Sequence, residues 1–287
     1  MIFVRRAGST LLLWALVAAI FISMFPAAYL GLIGILTVVS TIEYFRMLRA
    51  ADVKCFPRFG LLLALTYCGI AYWHFLKGDK DIPPALDAIF IFITITGAFT
   101  LQLRYSIKGI EALLAVAANL LGFLYIAYLF NFTARISFML PGEGVPGAYL
   151  LLWLLAVTKM TDTGAYITGS LLGKHKMIPH ISPGKTWEGF VGALFFAQLA
   201  GCGLYALLPD QLSALHSWLH IVALGFLLAI LAVIGDLAES VLKRSLHAKD
   251  SGNMLPGIGG GLDLIDSICF TAPALYFYLT IIIPYFE

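Results

Sequence analysis

Charge is what this chain has least of. Lys, Arg, Asp and Glu make up 12% of its 287 residues, while 61% are hydrophobic; a soluble domain carries about a quarter charged residues. Most of its surface therefore does not meet water. No block of like charge or basic stripe is present, so nothing points to a nucleic-acid partner. Cysteine is scarce too: Cys55, Cys68, Cys202 and Cys269 form no CxxC pair, and they read as small buried hydrophobes. Strands of alternating hydrophobicity about ten residues long are missing, which excludes a membrane β-barrel. Internal repeats, linkers and low-complexity stretches are also absent.

What remains is a series of long apolar runs. A span needs about 20 mostly apolar residues, and nine segments qualify: 8–25, 27–48, 59–76, 83–101, 110–132, 147–170, 188–208, 216–243 and 263–285. The first, preceded by Arg5 and Arg6, imitates a secretory signal, but a second run follows at once and it reads as a retained span. Backbone groups in lipid must be satisfied internally, so the spans are helices and the fold is all-α and polytopic. Pro26, Pro57, Pro83, Pro84, Pro146, Pro209 and Pro256 fall between them, where a missing N–H costs least.

Loop charge sets the orientation. With the N-terminus cytoplasmic, the inner segments hold fourteen of the 18 Lys and Arg residues, the outer loops hold only Lys77, Lys80 and Arg135, and Lys159 stays within a span. Nine helices then put the C-terminus outside. The two longest inner loops, 173–187 and 244–262, are also the richest in Gly, Pro, Lys and His.

Ionisable residues at membrane depth are functional candidates by default, and the second half of the chain concentrates them. Lys159 and Asp162, Asp236 and Glu239, and Asp263 and Asp266 are each three apart, so each pair shares a helix face. Taken singly, each pair reads equally well as an ion pair or a helix cap. Together, at least three acids converge on one membrane face beside a glycine-rich loop. Acids packed that closely repel unless a cation holds them, and oxygen-only ligands favour Mg²⁺ or a similar hard ion.

The loop LPGIGGGLD, 255–263, carries four glycines in nine residues. Glycines let backbone N–H groups approach a phosphate closely, and a helix N-terminus beyond them adds a favourable dipole. Lys243, Arg244 and Lys249 precede it and Asp263 and Asp266 close it; basic side chains and metal around a phosphate nest are parts of phosphoryl or nucleotidyl transfer. No GK[ST] follows the glycines, so it is not a Walker A loop. The other loop reads SPGKTWEG, 182–189. There Lys185 and Thr186 suit phosphate, while Trp187 suits either the membrane interface or a nucleobase.

These residues resemble a known family. The stretch SVLKRSLHAKDSGNMLPGIGGGLDLIDS, 240–267, is similar to the signature of phosphatidate cytidylyltransferases, also called CDP-diacylglycerol synthases, with Ser240, Lys243, Arg244, Lys249, Asp250, Pro256, Gly257, Gly259, Gly260, Asp263 and Asp266 in register. GDLAES (235–240), SPGKTWEG and TDTGAYITGSLLGKH (161–175) resemble three further motifs of the family, in the right order. Three positions depart from the pattern: Ile258 and Leu264 stand where the family commonly has His and Arg, and Gly184 replaces the first of two lysines.

The resemblance implies the reaction CTP plus phosphatidic acid to CDP-diacylglycerol plus pyrophosphate. It implies metal ligation by Asp236, Asp263 and Asp266, with Asp162 and Glu239 in support. Lys243, Arg244 and Lys249 would neutralise phosphate; Ser182, Lys185 and Thr186 would bind it from the opposite loop; and Gly257, Gly259 and Gly260 would cradle it. The expected cofactor is Mg²⁺, with room for a second metal ion; the expected assembly is a homodimer in a bacterial cytoplasmic membrane. Residues 1–145 form a five-helix region without motifs and 146–287 a four-helix catalytic region, in one continuous membrane domain. The alternatives are a CTP-dependent polyprenol kinase, a CDP-archaeol-type synthase and, in another class, an ion-coupled transporter.

Overall fold

Three prolines mark where helices begin. Pro26, Pro57 and Pro84 each open one, over Pro26–Ala50, Pro57–Leu76 and Pro84–Gln102. The first position of a helix needs no N–H partner, and the fixed φ of proline suits it. The structure is a computed structural model that describes residues 15, 17–252 and 259–286. Among these, seven helices are long and apolar enough to cross a membrane: the three above, then Glu111–Phe138, Trp187–Leu207, Trp218–Ser245 and Leu262–Ile282. The helix Ala148–Leu172 is as long but carries Lys159 and Asp162. Of the expected span 8–25, residues 8–14 and 16 lie outside the described residues, and 17–23 are helical. The protein is therefore an α-helical, multi-pass membrane protein.

The chain divides into two compact units, Met1–Pro146 with Ser245–Ile265, and Gly147–Arg244 with Asp266–Glu287. In the first, the Tyr44 hydroxyl donates to the Ala118 carbonyl at 2.8 Å, and the Phe56 N–H donates to Asn119 Oδ1 at 3.2 Å. Both residues sit in apolar surroundings where an unmet polar group is costly, so each bond fixes a helix pair. Gly122 makes the first contact feasible, because a Cβ there would lie 2.7 Å from the Tyr44 ring.

One expectation needs correction in this unit. Arg135, counted above with an outer loop, lies instead inside Glu111–Phe138 and is buried. Its guanidinium meets Asp87 at 2.6 Å and Asp81 at 3.2 Å, and the Tyr67 hydroxyl donates to Asp87 at 2.9 Å. Neutralised in this way, the charge no longer ends the helix where hydropathy would.

In the second unit a glycine stripe brings Ala148–Leu172 and Trp187–Leu207 together. A Cβ on Gly164 would lie 2.8 Å from the Gly192 carbonyl, and one on Gly192 would overlap the Thr168 side chain. Small residues allow such close approach between helices in lipid. The Trp153 indole N–H donates to the Gly201 carbonyl at 3.0 Å further along the same interface. The outer faces are apolar: Val191, Phe195 and Leu199 are all more than half exposed, as lipid contact requires.

Between these helices the 173–187 loop is not irregular. It forms a two-stranded antiparallel hairpin, β1 (Lys176–Ile178) and β2 (Ser182–Thr186), with Lys176 opposite Thr186 and Ile178 opposite Ser182. Glu188 clamps its base, accepting the Lys174 N–H at 3.1 Å and meeting His175 Nδ1 at 2.5 Å. Among the described residues the other elements are helices.

Candidate active site

Asp236 and Glu239 are three apart on Trp218–Ser245, so helical geometry aims both at one side. Asp266 joins them from the turn before the helix Ile268–Phe277. One oxygen from each of the three carboxylates lies within 4.8 Å of the others. Glu239 and Asp266 are buried, and Asp236 is half-buried. Gly235 permits the convergence: a Cβ there would stand 2.8 Å from the Ser267 Cα and 2.9 Å from the Asp266 carbonyl. The Ser267 N–H donates to Asp266 Oδ1 at 2.6 Å and fixes that carboxylate.

Lysines surround the acids. Lys185, at the end of the hairpin, has its Nζ 2.7 Å from Asp236 Oδ2 and donates to the Val233 carbonyl at 3.2 Å. Lys243 meets Glu239 at 2.6 Å from one turn further along the same helix. Lys159 pairs with Asp162 at 3.6 Å, and both act electrostatically on Asp266. Asp162, Lys185, Asp236, Glu239, Lys243 and Asp266, all singled out in the sequence, thus gather in one unit. Oxygen-only donors packed this closely fit a hard divalent cation.

The remaining candidates fall elsewhere. Ser182 is half-buried in β2, and Arg244 is exposed in the last turn of Trp218–Ser245. Thr186 is buried, and its Oγ1 accepts the Gly189 N–H at 3.1 Å as the cap of the following helix. In the other unit, Lys249 is exposed. Gly259 adopts φ +119°, a conformation that favours glycine. Asp263 Oδ2 accepts the Gly260 N–H at 2.9 Å. Gly257 and Ile258 lie outside the described residues.

Sequence reasoning missed one acid. Glu43, in Pro26–Ala50, is wholly buried, and its Oε2 accepts the Leu262 N–H at 3.0 Å. A glutamate within an apolar span was the available signal. Its partner lies 219 residues away, and no local pattern announces that.

A sequence model of the cytidylyltransferase family matches residues 4–282. Phosphatidate cytidylyltransferase of Bacillus subtilis is 32% identical over 247 residues, covering 85% of each chain. The enzyme of the same name from Chlamydia pneumoniae is 31% identical over 293 residues, covering 98% of this chain and 92% of its own. YnbB of Escherichia coli, an uncharacterized protein, is 33% identical over 227 residues, covering 78% and 71%.

Proposed function

The chain belongs to the cytidylyltransferase family, and from that premise we propose that it transfers the cytidylyl group of CTP to phosphatidic acid, giving CDP-diacylglycerol and pyrophosphate. The observation that carries the reading is the meeting of three carboxylates with Lys185 and Lys243 in a membrane-embedded unit. In this reaction an oxygen of the phosphatidate monoester attacks the α-phosphorus of CTP. A new P–O bond forms, the bond to the β-phosphate bridge oxygen breaks, and the electron pair leaves with pyrophosphate. No covalent enzyme intermediate is needed, because a phosphomonoester is already a nucleophile.

The main barrier is that two anions must meet. Lys185 and Lys243 offset that repulsion, with Arg244 and Lys249 adding positive charge. Asp236, Glu239 and Asp266 would hold Mg²⁺, with Asp162 in support. Asp263, from its place in the motif, is assigned to the same ion as well as to the loop. When bound, the cation neutralises the triphosphate and the departing pyrophosphate. Ser182 and the backbone from Gly257 to Gly260 would orient phosphate, and Thr186 would hold the hairpin that carries Lys185. Orientation of this kind turns a two-body encounter into a near-unimolecular step.

The wider reading is of nine spans, a cytoplasmic N-terminus, an outer C-terminus and catalytic residues concentrated beyond residue 145. We assign the protein to a bacterial cytoplasmic membrane, as a homodimer, with phosphatidate entering sideways because its acyl chains stay in the bilayer.

The test is a product assay on purified protein with CTP labelled at the α-phosphate, phosphatidic acid and Mg²⁺, run with and without EDTA. Label should move into organic-soluble lipid only when metal is present. Folded protein that leaves all label in the aqueous phase would overturn the reading, and γ-labelled CTP with a polyprenol would then test for kinase activity.

A further inference from the structure

The glycines near the end of the 244–262 loop do more than open space. Three of them press against the helix Pro26–Ala50. A Cβ at Gly252 would lie 2.5 Å from Glu43 Oε1, and one at Gly260 would lie 2.7 Å from Glu43 Oε2. A Cβ at Gly261 would lie 2.6 Å from Val39, one turn earlier on the same helix. A side chain at any of these positions would require Glu43, Ser251 or Val39 to shift. Glu43 is fully buried, and its Oε2 accepts the Leu262 N–H. Asp263 takes up the neighbouring Gly260 N–H in the same unit.

A carboxylate is an expensive way to fill that depth, because burying it costs several kcal/mol in real proteins and an alanine would leave room. The helix nevertheless carries one where Gly252 and Gly260 both come against it. A buried carboxyl group is also a poor direct neighbour for a triphosphate. Its chemistry suits backbone N–H donors, and one such donor is what it holds here.

We infer that Glu43 is a positioning residue for nucleotide transfer. It fixes Ser251–Gly252 and Gly260–Leu262 on the Pro26–Ala50 helix, and with them the places of Lys249 and Asp263 on either side. This rests on the reading above that Lys249 and Asp263 serve the nucleotide and its metal. It gives the motif-free N-terminal region a part in the reaction.

The test uses the full-length protein and two kinds of readout. Glu43→Gln keeps the shape and one acceptor oxygen but puts an amide NH₂ in place of the other oxygen. It should lower kcat/KM for CTP about tenfold or more, as small misplacements of reacting groups do, with a much smaller change for phosphatidate and little change in thermal midpoint. Trypsin should cut after the exposed Lys249 several-fold faster, because cleavage tracks local opening. Gly252→Ala should show the same loss, and Glu43→Asp in that background should restore part of it, since the shorter side chain makes room for the methyl. Kinetics within about twofold of wild type in folded Glu43→Gln protein would overturn the inference. So would an unchanged cleavage rate, or activity lost only in proportion to unfolded protein. If the wild-type protein itself makes no labelled lipid, the proposed function fails; the cleavage comparison, which needs no turnover, then decides alone whether Glu43 holds the loop.

Discussion

Lys185 Nζ lies 2.7 Å from Asp236 Oδ2, joining the end of the β-hairpin to the helix that carries two of the three clustered acids. The contact unites residues 51 positions apart in sequence. It brings a cation to the edge of the carboxylate cluster, where the proposed reaction would bring substrate phosphate. Lys185→Ala should therefore cut kcat/KM by about 100-fold. Lys185→Arg should recover only part of that, because a guanidinium is broader and reaches differently. The half-exposed position of Asp236 keeps the stability cost small. Steady-state kinetics alongside a detergent melting curve would check both claims.

Asp266→Asn and Asp236→Asn should each abolish turnover to within about 1% of wild type while leaving folded protein. A residual rate, where measurable, should require more Mg²⁺ for half-saturation. Asp263→Asn is the sharper variant. Its amide oxygen can still accept the Gly260 N–H, so loop geometry is largely kept and the charge alone is removed. Turnover should again fall about 100-fold; near-normal activity would remove Asp263 from the ligand set.

Much of this arrangement was readable before any coordinates. Long apolar runs gave helices, and prolines between the runs turned out to sit at helix starts. Spacing of three put Lys159 beside Asp162 and Asp236 beside Glu239. What escaped depends on residues far apart. Hydropathy ended the fifth span near residue 132, because it cannot see that Asp81 and Asp87 neutralise Arg135. The 173–187 hairpin has strands of three and five residues, too short for alternation to stand out. Glu43 and Leu262 are linked by tertiary packing alone.

Gly235 should tolerate no side chain. Its Cβ would collide with backbone at Ser267 and Asp266, which cannot rotate away as a flexible side chain can. Gly235→Ala should separate the Trp218–Ser245 helix from the turn bearing Asp266. Overpacking of this sort costs about 1–3 kcal/mol, and the displaced acid should cost activity out of proportion. A lowered thermal midpoint with a larger fractional loss of kcat is the expected pairing. Wild-type kinetics in this variant would show that the cluster does not depend on that contact.

Arg135 offers the opposite pattern, stability without chemistry. Its side chain is 6% exposed, and Asp87 beside it is 16% exposed. Breaking a buried pair by removing one partner leaves an uncompensated charge and costs about 3–5 kcal/mol. Arg135→Leu and Asp87→Leu should each lower the melting temperature sharply in detergent. The double replacement should be milder than the sum, because the charge it leaves, on Asp81, is more exposed at 36% and can find water, although the Tyr67 hydroxyl loses the Asp87 acceptor. In all three variants kcat per folded molecule should stay close to wild type, since Arg135, Asp81, Asp87 and Tyr67 are not among the residues assigned to the reaction. A double-mutant cycle on melting temperature, read beside kcat, would separate the two roles. A cycle that closes additively would show that the pair is not coupled and that each residue is held by other contacts.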